Sequence, residues 1–362
     1  MPRGPDLEAL SAALAALPGL GELGRATLEP LPVKGLAHDH IAVGDSGLLL
    51  RVPRQSQFGF SAQANLAYQA ACFERAAPSD HTPRLHGVIE PQERIPMGAL
   101  LVDRIFGRVP VLPDDLPALA ACMAAIHALP VPPPVARAPL GNHEDPVGGA
   151  MAEIERQSRF LAEAELAPET RTALGDELEW ARGFARQVAQ EGQPVTLVLS
   201  DTHPGNFLIE DSGRAVVVDL EKALYGSPGT DLAHATIYSS TTWDPDTWSD
   251  LGLVELAAFY RHYLDLLPRD LAERLRLWLM PVRRVTALRA LTWCVKWQVL
   301  HRRDSLADKA TAESTEDWSA ENSDPALIAH VAGRVAEYLS EPVIARMRNE
   351  WLGEPSLADL VG

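Results

Sequence analysis

The sequence predicts an α+β fold in two parts: a small N-terminal part with an antiparallel sheet and one helix, and a larger, mostly helical C-terminal part. Short apolar runs separated by turn residues dominate the first hundred positions, as is typical of strands. Apolar residues at helical spacing dominate the remainder. Between them, residues 197–232 alternate short strands and loops. We place the two parts at residues 1–103 and 104–362, with a hinge at about 100–107.

The first strands are expected to form a hairpin. Residues 41–43 and 48–52 are apolar runs, and the turn Gly44-Asp45-Ser46-Gly47 lies between them. Residues 34–40 contain a glycine and are expected to form a turn before the first strand. A helix is predicted at residues 62–76, because this segment is rich in Ala, Leu and Gln and stops just before a proline.

An apolar run at residues 97–106 is expected to form the strand and hinge that join the two parts, although an ordinary core strand would have the same sequence. Residues 116–129 predict a helix, in which His127 is expected to be a packed or capping residue and not a catalytic one. Further helices are predicted at residues 147–163, 168–190, 250–267, 271–279, 285–301 and 327–351, and a polar, acidic loop at residues 305–324.

Polar side chains stand at the ends of short strands in the segment 197–232. An apolar run leads to Asp201, Asn206 follows five residues later, and a second run at residues 215–218 ends at Asp219. The turn signal at residues 210–214 predicts a hairpin that brings Asp219 back toward Asn206. Carboxylate and amide oxygens are hard ligands suited to Mg²⁺. The alternative is a surface turn with Asp219 as a helix cap.

This segment resembles the catalytic core of the aminoglycoside phosphotransferase and choline kinase superfamily, which shares its fold with protein kinases. The family pattern is H-G-D-x-x-x-x-N followed by D-x-E. The chain has Leu199-Ser200-Asp201, His203-Pro204-Gly205-Asn206 and Asp219-Leu220-Glu221, and Asp231 follows in Asp231-Leu232-Ala233. The resemblance implies that Asp201 is the catalytic base, that Asn206 and Asp219 bind metal, and that Asp231 braces the catalytic loop. Leu199 and Ser200 depart from the family's His and Gly.

The resemblance extends to the N-terminal part and implies a two-lobed, protein-kinase-like fold that uses ATP, or else GTP, with Mg²⁺. In the family, an acidic residue of the helix forms an ion pair with the basic residue of the strand. Gln69 stands at the matching position here and could hydrogen-bond to Arg51 without neutralising it. Arg51 itself would bind phosphate, or would be an exposed strand residue if the resemblance did not hold. The implied nucleotide contacts are Arg51, the loop residues Gly35, Ala37 and His38, and the hinge backbone at Leu101, Val102 and Asp103.

The composition of the chain argues against some classes of binding partner. The chain of 362 residues has a formal net charge of -17, which argues against nucleic acid or an anionic membrane as a partner. No apolar stretch reaches the ~20 residues of a membrane-spanning helix. The three cysteines lie in apolar helical segments and are expected to be reduced. We expect a cytoplasmic protein, and the sequence leaves its oligomeric state open.

These features together predict transfer of the γ-phosphate of ATP to a hydroxyl of a small molecule, which could bear an amine. Trp293 and Trp297, four residues apart, could hold a cationic acceptor or could pack in the core, and core packing is the commoner arrangement. A nucleotide-binding pseudokinase without transfer activity is the alternative function, because Leu199 and Ser200 replace the family's His and Gly. A protein kinase is a third interpretation, disfavoured by the predicted helical insert.

Overall fold

The computed structural model describes residues 4–32, 37–306 and 325–362. Gly35 and most of the predicted acidic loop at residues 305–324 lie outside these ranges. The N-terminal part contains a five-stranded antiparallel sheet with the spatial order β1-β2-β3-β5-β4. Its strands are β1 (Leu28–Pro30), β2 (His38–Val43), β3 (Leu48–Pro53), β4 (Leu85–Ile89) and β5 (Ala99–Asp103).

Two helices cover opposite faces of this sheet. The helix α2 (Ala62–Ala76), which was predicted, packs on the side of Leu100 and Val102. The helix α1 (Leu7–Ala15), which was not predicted, packs on the side of Leu101. Successive side chains of a strand point to opposite faces, so one apolar strand contributes to both layers.

The strand β2 begins three residues earlier than the sequence suggests. His38, Asp39 and His40 pair with Pro53, Val52 and Arg51 of β3. The expected turn at residues 34–40 is therefore wrong in its second half. The reason is tertiary, because the His38 side chain is buried and hydrogen-bonded to residues outside the sheet.

The C-terminal part is built mostly of helices around four short strands. The strands pair as two antiparallel two-stranded sheets, β6 with β9 and β7 with β8. They are β6 (Thr196–Val198), β7 (Phe207–Ile209), β8 (Ala215–Val217) and β9 (Leu224–Gly226). The helices are α3 (Leu116–His127), α4 (Pro146–Ser158), α5 (Pro168–Val188), α6 (Pro228–Thr236), α7 (Tyr238–Thr241), α8 (Leu253–Leu266), α9 (Arg269–Leu306), α10 (Pro325–Tyr338), α11 (Glu341–Leu352) and α12 (Leu357–Val361).

Two of the predicted helix boundaries are wrong. The separate helices at residues 271–279 and 285–301 form one helix, α9, which continues through Pro281. Proline removes the hydrogen bond to the carbonyl four residues earlier. That carbonyl belongs to Leu277, which is 82% exposed, so water can replace the missing donor. Conversely, the single helix predicted at 327–351 is divided into α10 and α11. The extended backbone of Ser340, at the N-terminal cap position of α11, separates the two helices.

The connection between the two parts lies directly against the strand β7. Arg108 exchanges two backbone hydrogen bonds with Ile209 of β7, at 3.0 and 2.7 Å. A Cβ at Gly107 would meet the Ile209 carbonyl oxygen at 2.7 Å, so this contact requires glycine. The largest buried apolar cluster spans both parts and includes Leu100 of β5 and Leu119 of α3. In the described ranges, no helix is long and apolar enough to cross a bilayer.

Candidate active site

Asp201 lies in the loop between β6 and β7, and the buried carboxylate of Asp231 holds this loop in place. Asp231 accepts hydrogen bonds from the backbone N–H groups of Leu199 (2.7 Å) and Ser200 (2.8 Å). His127 Nε2 lies 3.1 Å from the same carboxylate, and its Nδ1 lies 2.8 Å from the Tyr263 hydroxyl. His127 is thus a packed histidine. Because the Asp231 side chain has no exposed surface, these bonds act in a low-dielectric interior.

Both departures from the family pattern are accommodated in this loop. Ser200 has a φ of 65°, in the left-handed region where glycine is unstrained, which explains why the family pattern has glycine there. The Leu199 side chain is completely buried in the apolar core, and its backbone still donates to Asp231. The loop therefore keeps its shape with both replacements.

The Asp201 carboxylate forms an ion pair with Lys222, which sequence reasoning missed. Lys222 Nζ lies 2.7 Å from Asp201 Oδ2, and His234 Nδ1 lies 3.9 Å from Asp201 Oδ1. Burial acts to raise the pKa of Asp201, yet the Lys222 ammonium, followed by His203 and His234, holds that pKa well below its usual range. Burial alone would lower the pKa of Lys222, but Asp201 raises it above its usual value. Asp201 is therefore ionised across the whole working pH range.

Asn206 connects Asp201 to the next strand. Its Nδ2 donates to the Asp201 carbonyl at 2.9 Å, and its own carbonyl accepts from the Val218 N–H at 2.9 Å. This second bond brings Asn206 beside Asp219, as the predicted hairpin requires. Its side-chain oxygen accepts no hydrogen bond from the described residues, so it is available as a ligand.

Arg51 reaches from β3 across the cleft to Asp219. Its NH2 lies 2.8 Å from Asp219 Oδ1, and its NH1 donates to the Val218 carbonyl at 2.8 Å. Burial would raise the pKa of Asp219, but Arg51 and then His38 lower it below its usual value. Arg51 Nε is buried and has no hydrogen-bond partner among the described residues, so one strong donor is left for a ligand.

The helix residue Gln69 does not pair with Arg51, which corrects the expectation from the sequence. Its Oε1 lies 3.1 Å from His38 Nε2, and its Nε2 donates to Glu221 Oε2 at 3.5 Å. Burial and then Asp219 raise the pKa of Glu221 to about 8, while burial and then Arg51 lower the pKa of His38 to about 3. Asp219 and Glu221 thus bring two carboxylates together below β3, and their proximity and burial favour the protonated form of Glu221.

Two groups of predicted nucleotide contacts occupy positions other than those expected. Ala37 and His38 do not form an open phosphate loop, because the Ala37 carbonyl accepts from Arg54 N–H (2.8 Å) and His38 begins β2. Leu101 and Val102 lie in an interior strand, paired with both β3 and β4. Their backbone N–H and C=O groups are therefore used in hydrogen bonds within the sheet. The N–H groups of Asp103 and Arg104 are also taken, by the carbonyls of Arg84 (3.1 Å) and Gly47 (2.8 Å).

The aromatic pair of the late helix is part of the core. Trp297 is 5% exposed and stacks on His301 with a centroid separation of 4.5 Å. Trp293 packs against Trp243 at 6.2 Å in a T-shaped contact. Both tryptophans belong to the helical apolar cluster, so the core-packing interpretation applies to them.

Comparison with known proteins identifies the family. The sequence model of the phosphotransferase enzyme family matches residues 28–278. The chain belongs to this family. That range contains Arg51, Asp201, Asn206, Asp219 and Asp231. No curated protein sequence matches the chain.

Several solved structures of kinases and phosphotransferases have the same fold. A choline/ethanolamine kinase family protein from Mesorhizobium loti has a TM-score of 0.55 at 20% identity, covering 98% of each chain. The Plasmodium vivax ethanolamine kinase has a TM-score of 0.53 at 12% identity, covering 88% of this chain and 83% of its own. APH(2")-IIia, solved as a complex with GDP and kanamycin, has a TM-score of 0.54 at 16% identity, covering 92% and 99%. The two-lobed, kinase-like fold predicted from the sequence is thereby confirmed.

Proposed function

We propose that this phosphotransferase moves the γ-phosphate of a nucleoside triphosphate, ATP in the first instance, to a hydroxyl of a small molecule. The observation that carries the proposal is the ionised Asp201 at the end of β6, within 2.7 Å of a lysine and directly bonded to Asn206 through its backbone. Membership of the phosphotransferase enzyme family supports the reaction class. The acceptor is the part of the reaction that the family leaves open.

The residues around Asp219 suit a divalent metal and a polyphosphate. Asp219 and Asn206 supply the hard oxygen donors that Mg²⁺ prefers. A carboxylate oxygen of Glu221 lies within 4.8 Å of one of Asp219. The unpartnered Nε of Arg51 suits a phosphate oxygen. When bound, the metal supplies positive charge that offsets the charge of the transferring phosphoryl group. In the proposed complex, Arg51 exchanges part of its contact with Asp219 for phosphate.

Asp201 would orient the acceptor hydroxyl and receive its proton at a carboxylate oxygen. A carboxylate held ionised by Lys222 is a weak base. That is sufficient, because phosphoryl transfer passes through a loose transition state in which positioning matters more than deprotonation. Lys222 would keep Asp201 in one orientation and add positive charge beside the reacting oxygens.

A pseudokinase without transfer activity is less well supported. The two replacements that suggested it, Leu199 and Ser200, leave Asp231 bonded to the loop backbone. The three groups required for chemistry, Asp201, Asn206 and Asp219, lie together. We therefore retain phosphoryl transfer as the single proposed function.

The test is a comparison of variants in a nucleotide-consumption assay over a panel of hydroxyl compounds, with nucleotide binding measured separately by calorimetry. Asp201→Ala should abolish transfer and keep nucleotide binding. Asp219→Ala should abolish Mg²⁺-dependent nucleotide binding. The matched control, Asp211→Ala, removes an exposed carboxylate from the nearby hairpin turn and should change neither. Full turnover by Asp219→Ala would overturn the scheme.

A further inference from the structure

Arg289 on α9 is a partly buried cation without an acidic partner. Among the described residues, no carboxylate lies within ion-pair distance of its guanidinium, and no acceptor takes a hydrogen bond from it. Its neighbours on the same helix are paired: Arg283 Nε lies 2.7 Å from Glu350 and Arg284 Nε lies 2.6 Å from Glu177.

Arg289 lines a cavity between α4, α6 and α9 together with three hydroxyl side chains. These are Ser227, Thr230 and Thr286, and the remaining wall is apolar. A guanidinium has five donors in a planar fork, and the hydroxyl groups of Ser227 and Thr230 add adaptable donors beside it. The Thr286 hydroxyl already donates to the Val282 carbonyl at 2.8 Å. This combination of donors suits an oxyanion such as a carboxylate or a phosphate ester.

Helix α6 connects the cavity to the loop that carries Asp201. Thr230, which lines the cavity, and His234 stand four residues apart on α6 and therefore on one face of the helix. His234 Nδ1 lies 3.9 Å from Asp201 Oδ1. Burial lowers the pKa of His234 to about 4, and the charge of Arg289 adds to this effect. One turn of α6 thus separates a residue that lines the cavity from the residue beside Asp201.

We infer that Arg289, with Ser227 and Thr230, forms a subsite for an anionic oxygen group, a carboxylate or a phosphate ester, on the hydroxyl acceptor of this enzyme. The inference rests on the proposed phosphoryl transfer, since it places the acceptor hydroxyl at Asp201 and the anionic group at Arg289. An acceptor that carries both groups on one short chain would occupy both positions. The subsite would select against purely cationic acceptors, because an amine beside Arg289 would be repelled.

Binding without transfer tests this inference independently of the reaction. The protein, saturated with Mg²⁺ and a non-hydrolysable ATP analogue, is titrated with probes of one skeleton: 4-hydroxybutyrate, 4-hydroxybutyramide and 4-amino-1-butanol. Glycerol 3-phosphate and glycerol form the phosphate arm, and binding is followed by ligand-observed NMR. At least one of the two anions should bind about tenfold more tightly than its uncharged partner, since a charged hydrogen bond is worth this factor.

The variants assign the effect to Arg289. Arg289→Gln should lose about tenfold in affinity for the preferred anion, and Arg289→Lys should restore part of it. The control is Arg269→Gln, which removes an exposed arginine from the start of the same helix and should bind like the wild type. Preference for 4-hydroxybutyrate or for glycerol 3-phosphate identifies a carboxylate or a phosphate site.

The outcomes that would overturn the inference are distinct from failure of the proposed function. Equal binding of acid and amide, preference for the amine, absence of binding by every probe, or unchanged anion affinity in Arg289→Gln would each overturn it. A nucleotide affinity that falls in Arg289→Gln while anion affinity stays constant would also overturn it, since Arg289 would then serve the nucleotide. Anion binding in this experiment, together with no transfer from ATP to any compound of the hydroxyl panel, would leave the subsite standing and overturn the proposed function instead.

Discussion

Lys222 Nζ lies 2.7 Å from Asp201 Oδ2, so the carboxylate proposed as the catalytic base is held in an ion pair within the same site. The two residues are 21 positions apart and come from different loops, one after β6 and the other after β8. The pair fixes both the charge and the orientation of Asp201.

Replacing Lys222 should therefore impair the reaction more than it impairs nucleotide binding. We expect Lys222→Met to lower kcat by about 10²-fold, a typical effect of losing one electrostatic contact in an active site. Without Lys222, partial burial should raise the pKa of Asp201, so activity should fall on the acid side at a higher pH than in the wild type. The measurement is kcat against pH from 5 to 9.

Lys222→Arg is the control for this prediction, because it keeps the charge and should recover part of kcat. A Lys222→Met enzyme with wild-type kcat and an unchanged pH profile would exclude a role for Lys222.

Arg51 and Asp219 should be coupled in the free protein. Arg51→Met leaves a partly buried carboxylate without its cation, so we expect the free energy of unfolding to fall by about 1–3 kcal/mol. Asp219→Asn in the same chain should recover part of this loss. A double-mutant cycle measured by urea unfolding tests the coupling, and additive effects of the two substitutions would contradict it.

Ser200 should be a site where glycine stabilises the protein. Its φ of 65° lies in the left-handed region, where a side chain costs about 1–2 kcal/mol. Part of that gain is offset because glycine also makes the unfolded chain more flexible. We expect Ser200→Gly to raise the free energy of unfolding by about 0.5–1 kcal/mol. Ser200→Ala is the control and should give no gain, since alanine keeps the Cβ; equal stability of the two variants would contradict the explanation.

The stability of the protein should fall as the pH drops below about 6.5, the usual pKa of histidine. Burial lowers the pKa of His40 and of His234 to about 4, so both are neutral in the folded chain at pH 5. The unfolded chain takes up their protons in this window. Unfolding therefore becomes easier as the pH falls toward 4, by up to about 1.4 kcal/mol per pH unit for each histidine.

Urea unfolding at pH 7, 6 and 5 measures this effect. His40→Gln with His234→Gln should flatten the pH dependence, whereas His86→Gln, at an exposed position, should leave it as in the wild type. An unchanged slope in the double variant would show that other groups cause the loss of stability in acid.

The sequence by itself determined the local framework. Apolar runs and turn residues located the β2–β3 and β7–β8 hairpins. Composition and a following proline located α2, and helical spacing located α3. The order of Asp201, Asn206 and Asp219 predicted the segment that we propose as the active site. These features depend on the side-chain period of a strand or helix and on the backbone conformations that turn residues allow. Both are set by residues that are close together in the sequence.

Only the tertiary structure decided which side chains meet. Arg51 pairs with Asp219, 168 positions later, and not with the helix residue Gln69. Lys222 meets Asp201, and Arg289 is left without a partner beside α6. The continuity of α9 through Pro281 also depended on its exposed surroundings. Such contacts depend on how elements that are distant in the sequence pack together. They cannot be predicted from the spacing of residues along one segment.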